Sequence, residues 1–142
     1  LDGGNRVVME IPDGLPLLST DPVLFERVLA NVVANSLRYS PPDRPPTVSA
    51  TEVAGRSMVR ISVTDHGRGV PADARERIFE PFQQLGDRRP AGGVGLGLAV
   101  ARGFVDALGG RITADTTVGG GLTVNVELPI AAATIERTVV RS

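Results

Sequence analysis

The stretch that decides the fold is Gly92-Gly93-Val94-Gly95-Leu96-Gly97-Leu98, which passes without a break into the apolar, helix-spaced segment from Leu98 to Leu108. Four glycines in six residues leave the backbone bare just before a helix begins. The first-turn N–H groups then stand uncovered at the positive end of the helix dipole. Such a terminus is a seat for an anion, and phosphate is its common occupant. A flexible loop ahead of an ordinary helix would have the same glycine content. The reading therefore turns on whether the rest of the chain brings a base-holding group and a metal-holding group to the same place.

Composition narrows the chemistry. The chain has 142 residues, enough for one domain that buries about two thirds of its unfolded surface. The pattern assigns residues 1–130 to that domain and 131–142 to a fading, flexible tail. Hydrophobic residues make up 42% and charged residues 22%, values of a globular protein, and the net charge of −1 gives no electrostatic reason to expect nucleic acid or an anionic membrane. All 15 basic residues are Arg, so a P-loop lysine, a Schiff-base lysine and a lysine general base are excluded. With no Cys and one His, disulfides and Cys/His zinc sites are excluded, and any metal must be a hard one held by oxygen. No apolar run approaches the roughly 18 residues of a membrane span, and no signal peptide is legible. The expectation is a cytoplasmic fragment, begun at Leu1 and so cut from a longer chain, with membrane spans elsewhere in the parent left open.

Outward from the glycine run, the chain alternates elements. Val7 to Ile11 reads as a short strand ended by Pro12-Asp13-Gly14. Asp21-Pro22 opens a helix, with Asp21 as cap and Pro22 at the first position, and the helix runs to Tyr39 before Ser40-Pro41-Pro42 stops it. At 100° per residue, Phe25, Leu29, Val32, Val33 and Leu37 form its apolar side, and Asn31, Asn35 and Arg38 a polar stripe on the other. Thr47 to Val53 and Met58 to Thr64 alternate as a hairpin. Ala72 to Phe79 reads as a short helix after the turn Asp65-His66-Gly67-Arg68-Gly69-Val70-Pro71, and Gln83 to Gly92 as a surface loop. A helix from Leu96 to Leu108 ends at Gly109-Gly110, and Arg111 to Thr116 with Leu122 to Leu128 form a last hairpin. Helices on one face of a mixed, largely antiparallel sheet predict an α+β, two-layer sandwich.

Two further constellations meet the requirement set by the glycine run. Asparagine is a poor helix-interior residue, so Asn31 and Asn35 one turn apart are costly unless used. A carboxamide oxygen is a hard neutral ligand that suits Mg²⁺ whose charge is met by phosphates; a solvated helix face is the plain alternative. Asp65, directly after a strand, can accept a hydrogen bond from the exocyclic amino group of adenine, with Gly67 and Gly69 letting a flat ring approach the backbone. A turn whose Asp caps its own loop remains open as the other reading. Gly67 to Ala72 also fits a dinucleotide glycine pattern, but Pro71 follows too soon and no acid-tipped strand lies at the required distance. Arg88 and Arg89, in a loop able to close over a ligand, could reach its terminal phosphates. His66 is assigned to the turn surface.

These residues resemble a known set. Asn31-Val-Val-Ala-Asn35-Ser-Leu-Arg-Tyr-Ser is similar to the N box of sensor histidine kinases, Asp65-His-Gly-Arg-Gly69 to the G1 box, Phe79-Glu-Pro-Phe82 to the F box and Gly93-Val-Gly-Leu-Gly-Leu98 to the G2 box. The resemblance implies a Bergerat-type α/β sandwich of the GHKL superfamily that binds ATP and Mg²⁺, with a lid between the last two boxes. Phe82 to Asp87, Gly93 to Val100 and Gly119-Gly-Gly-Leu-Thr further resemble the KdpD branch, the potassium and osmotic-stress sensors. Carried over residue by residue, the resemblance implies Asn35 on the metal, Asn31 on metal or phosphates, and Arg38 and Tyr39 on phosphate and nucleotide. It also implies Asp65 on adenine, with Gly67, Gly69, Val70, Phe82 and Arg88 around the nucleotide and Gly93, Val94, Gly95, Leu96 and Gly97 against it. The N box commonly has Lys where Arg38 stands, which changes the geometry of phosphate contact. The implied partners are a dimerisation domain carrying the acceptor histidine, absent from this chain, and a response regulator. An ATPase of the chaperone or mismatch-repair kind, a regulatory module without catalysis and an anti-sigma-type serine kinase share the superfamily.

Overall fold

The computed structural model describes residues 6–81 and 97–131. Five strands form one sheet: β1 (Val8–Glu10), β2 (Thr47–Val53), β3 (Met58–Thr64), β4 (Arg111–Thr116) and β5 (Leu122–Pro129), in spatial order β1-β2-β3-β5-β4. All neighbours are antiparallel except β1, which pairs parallel with β2. Two helices, α1 (Pro22–Tyr39) and α2 (Gly97–Ala107), pack on one face.

Alternation along the strands explains why one face is covered. Val59, Ile61 and Val63 of β3 stand opposite Leu128, Val126 and Val124 of β5, and all six are buried. Ile112 of β4 extends the row through Val126. Val28 and Val32 of α1 and Ala101 and Val105 of α2, each 0% exposed, close the core from above; full burial of one such valine contributes about 1.5–3 kcal/mol. The other face is polar and cross-linked. Arg60 pairs with Glu127 at 2.7 Å, and Ser62 Oγ donates to Asn125 Oδ1 at 2.7 Å.

Local chemistry sets the helix ends. Asp21 Oδ1 accepts from the amides of Val23 (2.9 Å) and Leu24 (3.3 Å), and Ser40 followed by Pro41 stops α1. At the end of α2, the Gly110 amide reaches the Val105 carbonyl (3.0 Å) and the Gly109 amide that of Asp106 (3.1 Å), a Schellman closure. Where β4 ends its pairing, the chain just before α1 takes over: Leu18 bridges Ile130, with Ser19 and Ala131 amides bonding to Pro129 and Leu17 carbonyls at 2.9 Å.

Three expectations change. The first strand is Val8–Glu10, shorter than Val7 to Ile11, an edge strand with one neighbour whose three residues are all exposed. The helix expected over Ala72 to Phe79 is two 3₁₀ turns, Ala72–Ala74 and Arg77–Phe79. Bonds of the i to i+3 kind close them, such as Ala74 to Pro71 (2.9 Å) and Glu80 to Arg77 (3.0 Å), since so short a segment does not repay α-helix nucleation. On α1, the asparagine stripe does not stand opposite the apolar side. Ser36 is 1% exposed and extends the buried line of Val28 and Val32, so the buried face borders the half-buried Asn31 and Asn35, while Arg38 is exposed. Leu37 leaves the core and lines a hollow with Pro41 and Pro46. The loop Gln83 to Gly92, Leu96 as a helix start and the tail from residue 132 lie outside the described residues.

Candidate nucleotide site

Asp65 is the centre of the described site. It follows β3 directly, is 2% exposed, and is held through its amide and one carboxylate oxygen by backbone groups of Gly67 and Leu122. Its own amide donates to the Leu122 carbonyl at 2.8 Å. Its Oδ1 accepts from the amides of Gly67 (2.9 Å) and Leu122 (3.0 Å). The carboxylate thus caps its own turn, the local role left open by the sequence, and is at the same time locked to β5. Oδ2 accepts no hydrogen bond among the described residues, so one oxygen fixes the group and the other faces no protein donor.

The flanking glycines are there for close approach. A Cβ on Gly121 would stand 2.2 Å from the Asp65 carbonyl oxygen, and Gly121 has φ +104°, a conformation that side chains oppose. A Cβ on Gly67 would stand 2.3 Å from the Tyr39 carbonyl oxygen, which brings the Asp65 turn down onto the last turn of α1. The His66 amide adds a bond to Ser40 Oγ at 3.2 Å. Gly69 lies against Gly121, its would-be Cβ 3.1 Å from that carbonyl oxygen. Behind the turn, Thr117 and Thr123 hydroxyls meet at 2.9 Å and Thr123 and Thr64 at 3.3 Å, tying together the ends of β3, β4 and β5.

The other end of the polar stripe meets α2. A Cβ built on Gly97 would lie 3.9 Å from the Asn31 carbonyl oxygen, so the second helix begins beside the start of the stripe. Eight residues of α-helix separate Asn31 from Tyr39, a span of about 12 Å, with Asn35 midway. Asn31, Asn35, Tyr39 and Val70 are half-buried, and Arg38 and Gly97 are exposed. Phe82, Arg88, Gly93, Val94, Gly95 and Leu96 fall outside the described residues.

The donor chemistry is that of a neutral helix face. Among the described residues no three of His, Cys, Asp and Glu come together as a metal cluster. The oxygens along the stripe are carboxamides, which fit a hard cation only where a bound anion supplies the charge. Among the described residues no helix is long and apolar enough to cross a membrane.

Sequence reasoning missed several residues that hold the site together. Gly121, Leu122, Thr117 and Ser40 act through contacts between segments distant in sequence. The available signal was Gly119-Gly120-Gly121, which has more glycine than a hairpin turn needs.

Comparison with known proteins agrees with the fold. Residues 20–132 match the family described as histidine kinase-, DNA gyrase B- and HSP90-like ATPases. The sensor protein KdpD of Rathayibacter rathayi is 44% identical over 131 residues, 92% of this chain and 15% of the relative. KdpD of Mycobacterium tuberculosis H37Rv is 48% identical over 126 residues, 89% of this chain and 14% of the relative. The chain therefore spans about one seventh of the length of these relatives. Among solved structures, full-length ShkA in complex with AMPPNP superposes with a TM-score of 0.75 at 31% identity, covering 91% of this chain and 26% of that one. The mycobacterial sensor histidine kinase MprB gives 0.74 at 25% identity, covering 87% and 84%. By the match over residues 20–132 and by its likeness to KdpD over nine tenths of its length, the chain belongs to the histidine kinase-, gyrase B- and HSP90-like ATPases, as a histidine kinase catalytic domain.

Proposed function

We propose that this domain binds Mg-ATP between α1, the Asp65 turn and the start of α2, and presents the γ-phosphate to a histidine on a separate dimerisation domain. That histidine then passes the phosphoryl group to an aspartate of a response regulator. The observation that carries the reading is the closure of both ends of the polar stripe: Gly67 rests on Tyr39 at one end and Gly97 adjoins Asn31 at the other. The AMPPNP held by ShkA, a relative of the same fold, supports a nucleotide as the occupant.

Each described residue then has a task. Asp65 Oδ2 accepts a hydrogen bond from the adenine amino group while Oδ1 stays on its two amides. Asn35, with Asn31 beside it, offers carboxamide oxygens to the metal, and Arg38 answers phosphate charge from the exposed edge. When bound, Mg²⁺ neutralises phosphate charge and orients the transferring group. The N-terminus of α2 adds its dipole. Phe82, Arg88 and the glycine run from Gly93 belong to the same proposal as lid and phosphate seat.

The lone histidine, His66, lies in a turn with its amide on Ser40, so the acceptor comes from another domain. Hydrolysis is disfavoured, because the amide of Asn31 cannot act as a base toward water. The identities of 44% and 48% with KdpD proteins favour potassium or osmotic sensing by the parent chain. Titration calorimetry tests the core of the proposal. Mg-ATP binds the unmodified chain, and Asn35→Ala weakens binding at least about tenfold in Mg²⁺ but little in EDTA. No binding to the unmodified chain in Mg²⁺ would sink the reading.

A further inference from the structure

Between the Asp65 turn and residue 81 the chain forms two 3₁₀ turns, which bury Ala74, Ile78 and Phe79. Arg75 sits between those turns. Its guanidinium Nη2 donates to Thr116 Oγ1, and its Nε is buried without a partner among the described residues. Arg75 is half-buried and its bond to Thr116 is exposed, while the buried Nε without an acceptor carries a cost that an apolar side chain would not. What arginine adds is a directed tether to the last residue of β4.

The tether leads to the site already described. Thr116 is the register partner of Leu122. The Leu122 amide donates to Asp65 Oδ1 at 3.0 Å, and its carbonyl accepts from the Asp65 amide at 2.8 Å. Next to Thr116, the Thr117 amide closes the hairpin onto the Gly121 carbonyl at 3.0 Å, and Gly121 rests on the Asp65 backbone. A short chain of contacts and strand pairing therefore runs from Arg75 through the β4-β5 hairpin to the oxygen that fixes the carboxylate.

We propose that Arg75 is a positioning residue for purine recognition: by holding Thr116 it sets the hairpin that aims the free oxygen of Asp65 at the exocyclic amino group of adenine. The inference rests on the nucleotide reading above. It makes a demand that reading does not: loosening Arg75 should harm discrimination at the amino group more than binding as a whole.

The test compares Mg-ATP with Mg-purine riboside triphosphate, which lacks only that amino group, by competition against a fluorescent nucleotide on the 142-residue chain. The unmodified chain prefers ATP. Arg75→Met shrinks the preference about three- to tenfold, and affinity for the analogue stays within about twofold. Thr116→Val reproduces the loss from the other side of the contact, and the double variant loses no more than either single one, as for residues acting through one contact. Should Arg75→Met fail to fold, the ratio for Thr116→Val decides. An undiminished preference, or an equal fall for both nucleotides, overturns the role of Arg75 alone. Failure of the unmodified chain to bind ATP, or to prefer it, overturns the nucleotide reading with it.

Discussion

The two antiparallel hairpins of the sheet use glycine for different reasons. In the β2-β3 hairpin, Gly55 has φ +82° and nothing within 4 Å of a would-be Cβ. Ser57, two residues on, already has φ +55° with a side chain attached. That turn asks only for backbone conformation. In the β4-β5 hairpin, Gly121 combines φ +104° with a carbonyl oxygen 2.2 Å from the would-be Cβ, and the oxygen belongs to Asp65. Turn chemistry can be met by several residues, whereas contact with a buried carboxylate turn can be met by one. The same letter in the same topological position thus marks a bend in one hairpin and a wall of the site in the other.

Substitution separates the two. Gly121→Ala should be the most damaging change, on the order of 3 kcal/mol of stability, and the residual folded protein should lose ATP affinity because Asp65 is displaced; chemical denaturation with nucleotide titration reads both. Gly55→Ala should cost about 1–2 kcal/mol, the left-handed penalty alone, with ATP affinity unchanged. Gly55→Asn should cost least, under about 1 kcal/mol, since asparagine tolerates that conformation. Equal effects at residues 55 and 121 would erase the distinction.

Much of the fold was legible because it is written locally. The alternation of β-branched residues placed Thr47–Val53, Met58–Thr64 and Arg111–Thr116 at their observed bounds, and Asp21-Pro22 marked the start of α1. Gly109-Gly110 marked the end of α2. What was not legible was set by neighbours through space. The insertion of β5 between β3 and β4, the parallel pairing of β1 and the Leu18 bridge to Ile130 have no local signature. The 3₁₀ turns differ from an α-helix only in closure, which so short a segment does not announce.

The site divides in the same way. Asn31, Asn35, Asp65 and Gly67 could be singled out because each is a poor choice for its element unless it serves something else. Ser40 and Arg75 could not, because their partners lie at distances in sequence that no pattern spans, and the surplus glycine around Gly121 marked a segment without naming its contact with Asp65. The buried line also reaches further round α1 than the apolar side suggested, since Val28 is fully buried close to the angle of Asn35.

The central claim is that one nucleotide touches both ends of the α1 stripe and the Asp65 turn together. Amide chemical shifts followed during a Mg-ATP titration of the ¹⁵N-labelled chain test it most directly. The account predicts that Asn31, Asn35, Gly67, Gly97 and Leu122 shift along one binding curve, while Gly55 and Glu52 on the far hairpin stay still. Shifts confined to one of these segments, or following separate curves, would contradict it.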